Sequence, residues 1–191
     1  MGFIAWILDT VIKEFRVDPS RIYAAGFSNG ASLAFLVGIE LNETIAAIAP
    51  VAGALWIEDF GLESPVSLLY ITGTEDPLNP IDGGVPGLAI GDGEPGGGKA
   101  KPPVEEHIQL WTGALACESQ PEILTSAEGI VKVHFSQCRD NAEVVYYTLE
   151  DVGHHWPGGK VRLSEILVGK STDVMNATEV IWEFFQDHPK P

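Results

Sequence analysis

A chain of 191 residues, 45% apolar and 20% charged, is long enough to bury the core of one globular domain spanning residues 1–191, and no stretch approaches the ~20 uninterrupted apolar residues of a membrane span. With 27 acidic against 11 basic side chains the formal charge is −16, which argues against nucleic acid and anionic membranes as partners, because phosphate binding needs clustered Lys and Arg. Two cysteines, Cys117 and Cys138, are too few for a disulfide scaffold and lack the spacing of a zinc site. Their number alone does not say whether they pair.

The chain opens directly into helix. Phe3, Ile4, Ile7, Leu8, Val11, Ile12 and Phe15 recur at helical spacing over residues 2–15, opposite Asp9, Lys13 and Glu14, so an amphipathic helix packed on a sheet is expected. No charged n-region or small-residue cleavage site precedes it. Either an export signal and more were removed, or the form is naturally short. Asp18 and Pro19 break the helix, residues 21–25 read as a buried strand, and residues 28–41 as the next helix. Between them stands Gly26-Phe27-Ser28-Asn29-Gly30. A G-x-S-x-G run joining strand to helix is what a nucleophile elbow requires, and glycines at 26 and 30 would let backbone approach closely around a strained serine. The helix N-terminus would aim positive partial charge at Ser28.

Residues 45–52 and 66–72 are further apolar runs, the second ending in Gly73-Thr74-Glu75-Asp76-Pro77. Continuous apolar runs separated by helices describe an α/β fold with a mostly parallel sheet covered on both faces, whose functional residues lie at the carboxyl ends of the strands. The glycine-rich stretch 81–101 lacks the order of a phosphate loop and the spaced acids of a calcium loop, and reads as a surface loop beside the site. Residues 104–115 are expected as helix, and 130–135 and 144–149 as strands. Thr172 looks like the N-cap of a last helix reaching residue 188, with Val174, Ala177, Ile181, Phe184 and Phe185 buried.

After the last strand comes Gly153-His154-His155-Trp156-Pro157-Gly158-Gly159. The order Ser28, Asp76, His154 is that of a serine hydrolase built on such a sheet. A hydroxyl is a weak nucleophile, imidazole takes its proton near neutral pH, and a carboxylate fixes the tautomer and stabilises the imidazolium. A lone histidine is ordinarily a surface or core residue; Gly153 and the strand-end position favour catalysis for His154. His155 is its rival, and Glu75 and Asp151 are rivals of Asp76. Trp156 is either a core aromatic or a stacking surface. Phe27, His155 and Trp156 are the candidate substrate-binding residues, and no metal or organic cofactor is needed.

At these residues the chain resembles the polyhydroxybutyrate-depolymerase-like and feruloyl or acetylxylan esterases of carbohydrate esterase family 1. Further matching stretches are Val17-Asp18-Pro19-Ser20-Arg21-Ile22-Tyr23, Ala49-Pro50-Val51-Ala52-Gly53 and Ile181-Trp182-Glu183-Phe184-Phe185. The resemblance implies an α/β-hydrolase fold, Ser28 as nucleophile, Asp76 as acid, His154 as base, a disulfide between Cys117 and Cys138, and a secreted or periplasmic enzyme.

Members of that family carry about a hundred further N-terminal residues, including a loop that donates one amide to the oxyanion hole. Here the Asn29 amide is one donor and the second has no evident source, a loss that typically costs ~3 kcal/mol of transition-state stabilisation. Without its family neighbour, strand 21–25 becomes an exposed edge, from which a homodimer is expected. The expected activity is hydrolysis of a carboxylic ester through a Ser28 acyl-enzyme, on a small-molecule or polymeric ester: short-chain, hydroxycinnamoyl, acetyl-sugar or polyester. A peptidase or acyltransferase on the same core, and a weakly active or non-catalytic remnant acting as a binding protein, are the alternatives.

Overall fold

The apolar runs assemble side by side. In the computed structural model, which describes residues 1–87, 99–126, 128–160 and 164–190, the elements are α1 (Gly2–Glu14), β1 (Tyr23–Phe27), α2 (Asn29–Glu40), β2 (Ala47–Val51), β3 (Ser67–Gly73), α3 (Val104–Ala114), β4 (Glu122–Thr125), β5 (Ile130–Phe135), β6 (Val144–Leu149), α4 (Glu165–Val168) and α5 (Ala177–Asp187). They build a six-stranded sheet in the order β1-β2-β3-β6-β5-β4. The first four strands of that order run parallel, β5 runs antiparallel to β6, and β4 turns back antiparallel to β5.

Alternation along each strand divides the core between the two faces. Ile48, Leu68, Tyr70 and Val144 face one way and pack with Phe35, Ile108 and Trp111 of α2 and α3. Ala49, Val51, Leu69, Ile71 and Val145 face the other way, against Ile181, Phe184 and Phe185 of α5. Both faces are therefore covered, which is why β2 and β3 read as unbroken apolar runs.

Several expectations shift. The first strand runs on through Gly26 and Phe27, which pair with Pro50 and Val51 of β2, so the turn begins at Ser28 itself. The cap of α5 is Asn176, whose Oδ1 accepts from the N–H groups of Thr178 and Glu179 at 3.2 and 3.4 Å. Thr172 instead accepts from Val174 N–H in a local turn, and Val174 is exposed. No residue of α1 is fully buried; only its inner side, Ile4 and Leu8, touches the core, while Phe3 and Trp6 stand in solvent. Strand β4 and helix α4 were not visible in the sequence pattern. Cys117 and Cys138 form a disulfide that ties the end of α3 to the segment entering β6. Of the glycine-rich stretch, residues 88–98 lie outside the described residues.

Candidate active site

The parallel register places the ends of β1, β3 and β6 along one edge of the sheet, and each end carries one polar side chain. At the end of β1, Ser28 N–H continues the ladder by donating to Val51 O, and Ser28 O then accepts from Ala31 and Ser32 to start α2. Switching from strand to helix within one residue forces Ser28 to φ 57° and ψ −119°, a region that costs a non-glycine residue of order 1–3 kcal/mol. Gly26 makes the turn possible: a Cβ there would lie 2.0 Å from Gly30 O. Gly30 has no such role, since a Cβ there would meet nothing within 4 Å. The expectation that both glycines are sterically required is corrected for Gly30.

Asp76 follows β3 and is buried. Its Oδ1 accepts from the backbone N–H groups of Leu78 and Asn79, both at 2.8 Å, which fixes the carboxylate plane and leaves Oδ2 free. That oxygen accepts from His154 Nδ1 at 2.7 Å, and His154 Nε2 lies 2.8 Å from Ser28 Oγ. With Nδ1 donating, Nε2 carries the lone pair and accepts a hydrogen bond from the Ser28 hydroxyl. The rival acids stand elsewhere: Glu75 is exposed, and Asp151 pairs with Lys170 at 3.6 Å on the surface.

The loop carrying His154 is pinned by its backbone. Gly153 N–H donates to Lys170 O at 2.8 Å and His154 N–H to Val168 O at 2.6 Å. This contact is close enough that a Cβ on Gly153 would come within 2.1 Å of Val168 O. The Phe27 ring lies 4.8 Å from the imidazole, centroid to centroid, and walls it on one side. His155 points away and donates from Nε2 to Gly169 O at 2.8 Å. Trp156 packs against the α5 side of the core and donates to Thr178 Oγ1 at 3.1 Å. Of the three candidate substrate contacts, Phe27 lies against His154 by these contacts, whereas His155 and Trp156 hold their loop to the turn after α4 and to α5.

Asn29 is the first residue of α2, and among the described residues neither its backbone N–H nor that of Gly30 donates to a backbone carbonyl. Two donors with the positive end of the helix dipole therefore lie next to Ser28. The arrangement can activate a hydroxyl and hold negative charge beside it.

No family model matches the chain. It is 26% identical over 197 aligned residues to "Putative esterase NocK" of Nocardia uniformis subsp. tsuyamanensis, covering 96% of this chain and 56% of that protein. It is 29% identical over 163 residues to feruloyl esterase B of Piromyces equi, covering 78% of this chain and 28% of that protein. It thus spans little more than half of the first relative and under a third of the second. Among solved structures, acetyl xylan esterase from Aspergillus awamori superposes with a TM-score of 0.56 at 13% identity, over 97% of this chain and 66% of that one. The fold is that of an α/β-hydrolase, and the sequence is similar to these esterases. In the α/β-hydrolase core, the residues that sequence reasoning missed are supports of the three polar side chains: Gly53 under the elbow, Asn79 in the acid turn, and Gly169 against the histidine loop. For Asn79 a signal existed, since a polar residue three places after a strand-end aspartate suits a turn that folds back on the carboxylate. Gly53 and Gly169 stand in loops whose partners are distant in sequence.

Proposed function

We propose that the chain is a serine carboxylic-ester hydrolase that works through a Ser28 acyl-enzyme. The observation that carries this reading is the unbroken run from Asp76 Oδ2 to His154 Nδ1 at 2.7 Å and from His154 Nε2 to Ser28 Oγ at 2.8 Å, ending on a strained serine at a helix N-terminus. In this reading His154 Nε2 takes the Ser28 proton as Oγ attacks the ester carbonyl, and Asn29 N–H donates to the oxyanion. The imidazolium, steadied by Asp76, then protonates the departing alcohol. Water enters by the same steps and frees the acid. Relatives named for feruloyl and acetylxylan esterase activity favour hydroxycinnamoyl or acetylated-sugar esters as substrates, and the disulfide favours an exported enzyme.

Hydrolysis of p-nitrophenyl acetate and butyrate by the purified chain beside Ser28→Ala tests the chemistry. Turnover lost in the variant, with Ser28 labelled by a fluorophosphonate only in the wild type, is the expected result. Equal inactivity and no labelling would overturn it. A panel of methyl ferulate, acetylated xylo-oligosaccharide and polyhydroxybutyrate then orders the substrates.

The same reading includes a homodimer. Strand β1 pairs only with β2 among the described residues, and beside it a groove of about 470 Å³ is lined by Leu8, Val11, Ile12, Tyr23, Trp182 and Phe185. Unpaired edges next to apolar surface favour association. A monomer in sedimentation at micromolar concentration would refute the dimer.

A further inference from the structure

Behind Asp76 runs a line of polar contacts that the ester chemistry above leaves without a task. Asn79 is buried and turns its polar groups inward. Its N–H donates to Asp76 Oδ1 at 2.8 Å, its Nδ2 donates to Tyr70 Oη at 2.9 Å, and its Oδ1 accepts from Lys101 Nζ at 3.1 Å. Tyr70 Oη donates onward to Gly53 O at 2.8 Å. Gly53 lies so close under the elbow that a Cβ there would meet Ser28 O at 2.4 Å. One line of contacts thus joins the acid turn to the nucleophile turn, and its outer end is an ammonium in a chain with only 11 basic residues.

We propose that Asn79 is a positioning residue for Asp76, and that Lys101, seated on Asn79, supplies the positive charge that balances the buried Asp76 carboxylate. The proposal rests on the Ser28, His154 and Asp76 reading given above. A lone buried carboxylate attracts a proton onto its imidazole partner; a fixed cation behind it cancels part of that attraction. Removing that cation strengthens the pull of the carboxylate on the imidazole and so favours the imidazolium over the neutral form that accepts the Ser28 proton.

The surroundings of Lys101 fit this role. Burial pulls its ammonium below the ordinary lysine value and the Asp76 carboxylate opposes that pull, so the two charges sense each other. The bridge between Gly84 and Lys101, with backbone N–H groups donating both ways at 2.9 and 2.8 Å, holds the lysine backbone in place. The other titratable groups facing Lys101 do not supply the balance. His107 on α3 is held neutral at pH 7, pulled to about 4 first by burial and then by Lys101 itself. Glu58 and Lys99 line the same small cavity but are exposed and screened by solvent. On the far side of Asp76, His154 meets Ser28 and the uncharged Phe27 ring, while His155 is turned to Gly169 O.

The test follows the His154 imidazole ¹⁵N signals and kcat/KM for p-nitrophenyl acetate across pH in the wild type and in Lys101→Met, Lys101→Arg, Asn79→Ala and Lys99→Met. Lys101→Met and Asn79→Ala are expected to raise the imidazole midpoint and the acid limb of the rate profile by about half a pH unit, the size of one part-buried charge several ångströms away. Lys101→Arg and Lys99→Met leave both where they were. Asn79→Ala also lowers kcat about tenfold at constant KM, as loss of positioning does. An unmoved midpoint in Lys101→Met overturns the proposal even if the rate falls, since looser packing alone changes rate and not titration. The imidazole signal reads out with or without turnover, so an inactive wild type would defeat the esterase reading and still leave the role of Lys101 decided.

Discussion

Replacing His107 by leucine isolates the stability effect of one buried base. His107 sits on α3 with no exposed surface, edge-on to the rings of Phe35 and Tyr70, and neither ring nitrogen has a hydrogen-bond partner among the described residues. Burial, aided by the nearby Lys101 charge, lowers its pKa from 6.5 to about 4. A base whose folded pKa lies below its unfolded one resists protonation only in the folded state. As pH falls through 6.5 the unfolded chain binds a proton that the folded chain does not, so stability drops until about pH 4 and then levels. Two and a half pH units at 1.36 kcal/mol each give a total of about 3 kcal/mol, of which about 2 kcal/mol is already lost at pH 5. Leucine is close in volume and removes both the titration and the unpaired nitrogens, so at pH 7.5 the variant should equal or exceed the wild type by about 1–3 kcal/mol. Urea unfolding at pH 7.5 and pH 5.0, read by tryptophan fluorescence, measures both. The wild type should lose about 2 kcal/mol more than His107→Leu between the two conditions. Identical losses would refute the assignment of this pH dependence to His107.

The elbow glycines should behave oppositely. In Gly26→Ala the added methyl meets the Gly30 carbonyl, and because Gly30 is fixed in the first turn of α2 the clash is relieved by moving Ser28. A cost of about 3 kcal/mol, read as a drop in Tm, and a fall in ester hydrolysis of a hundredfold or more are expected. Gly30→Ala meets open space on a helix and should gain about 0.5–1 kcal/mol in thermal melting. Reducing the Cys117–Cys138 disulfide frees a loop with a sequence separation of 21; dithiothreitol should lower the unfolding free energy by about 3 kcal/mol. An unchanged urea midpoint under reduction would mean that the α3 end holds without the bond.

The three polar side chains of the site were legible because each stands at a point where the chain changes regime. Ser28 lies between a strand and a helix, Asp76 directly after an unbroken apolar run, and His154 after a glycine at a strand end. Those regime changes reflect topology, and topology in a parallel sheet puts strand ends together. What was not legible depended on contacts across the sequence. Tyr70 reads as one more apolar residue of β3, and only the fold reveals that its hydroxyl donates to Gly53 O while accepting from Asn79. Thr172 and Asn176 are both of cap-forming type, and what separates them in the fold is that Thr172 spends its oxygen on Val174. Strand β4 is exposed at every position, so it carries no alternation to be seen. Helical periodicity in α1 showed correctly that it is amphipathic, but periodicity does not say how much of the apolar face finds a partner.

The sheet order has a consequence for how the molecule comes apart. His154 and Asp76 are anchored to β6 and β3, neighbours in the middle of the sheet, whereas Ser28 hangs from β1 at its margin. Amides of β1 should therefore exchange with solvent at a lower opening energy than those of β3 and β6. In the serine-esterase reading, the proposed nucleophile thus rides on a strand that opens before the middle of the sheet. On gentle warming, Ser28 should drift out of reach of its imidazole while the interior amides are still protected, so that inactivation precedes melting and reverses on cooling.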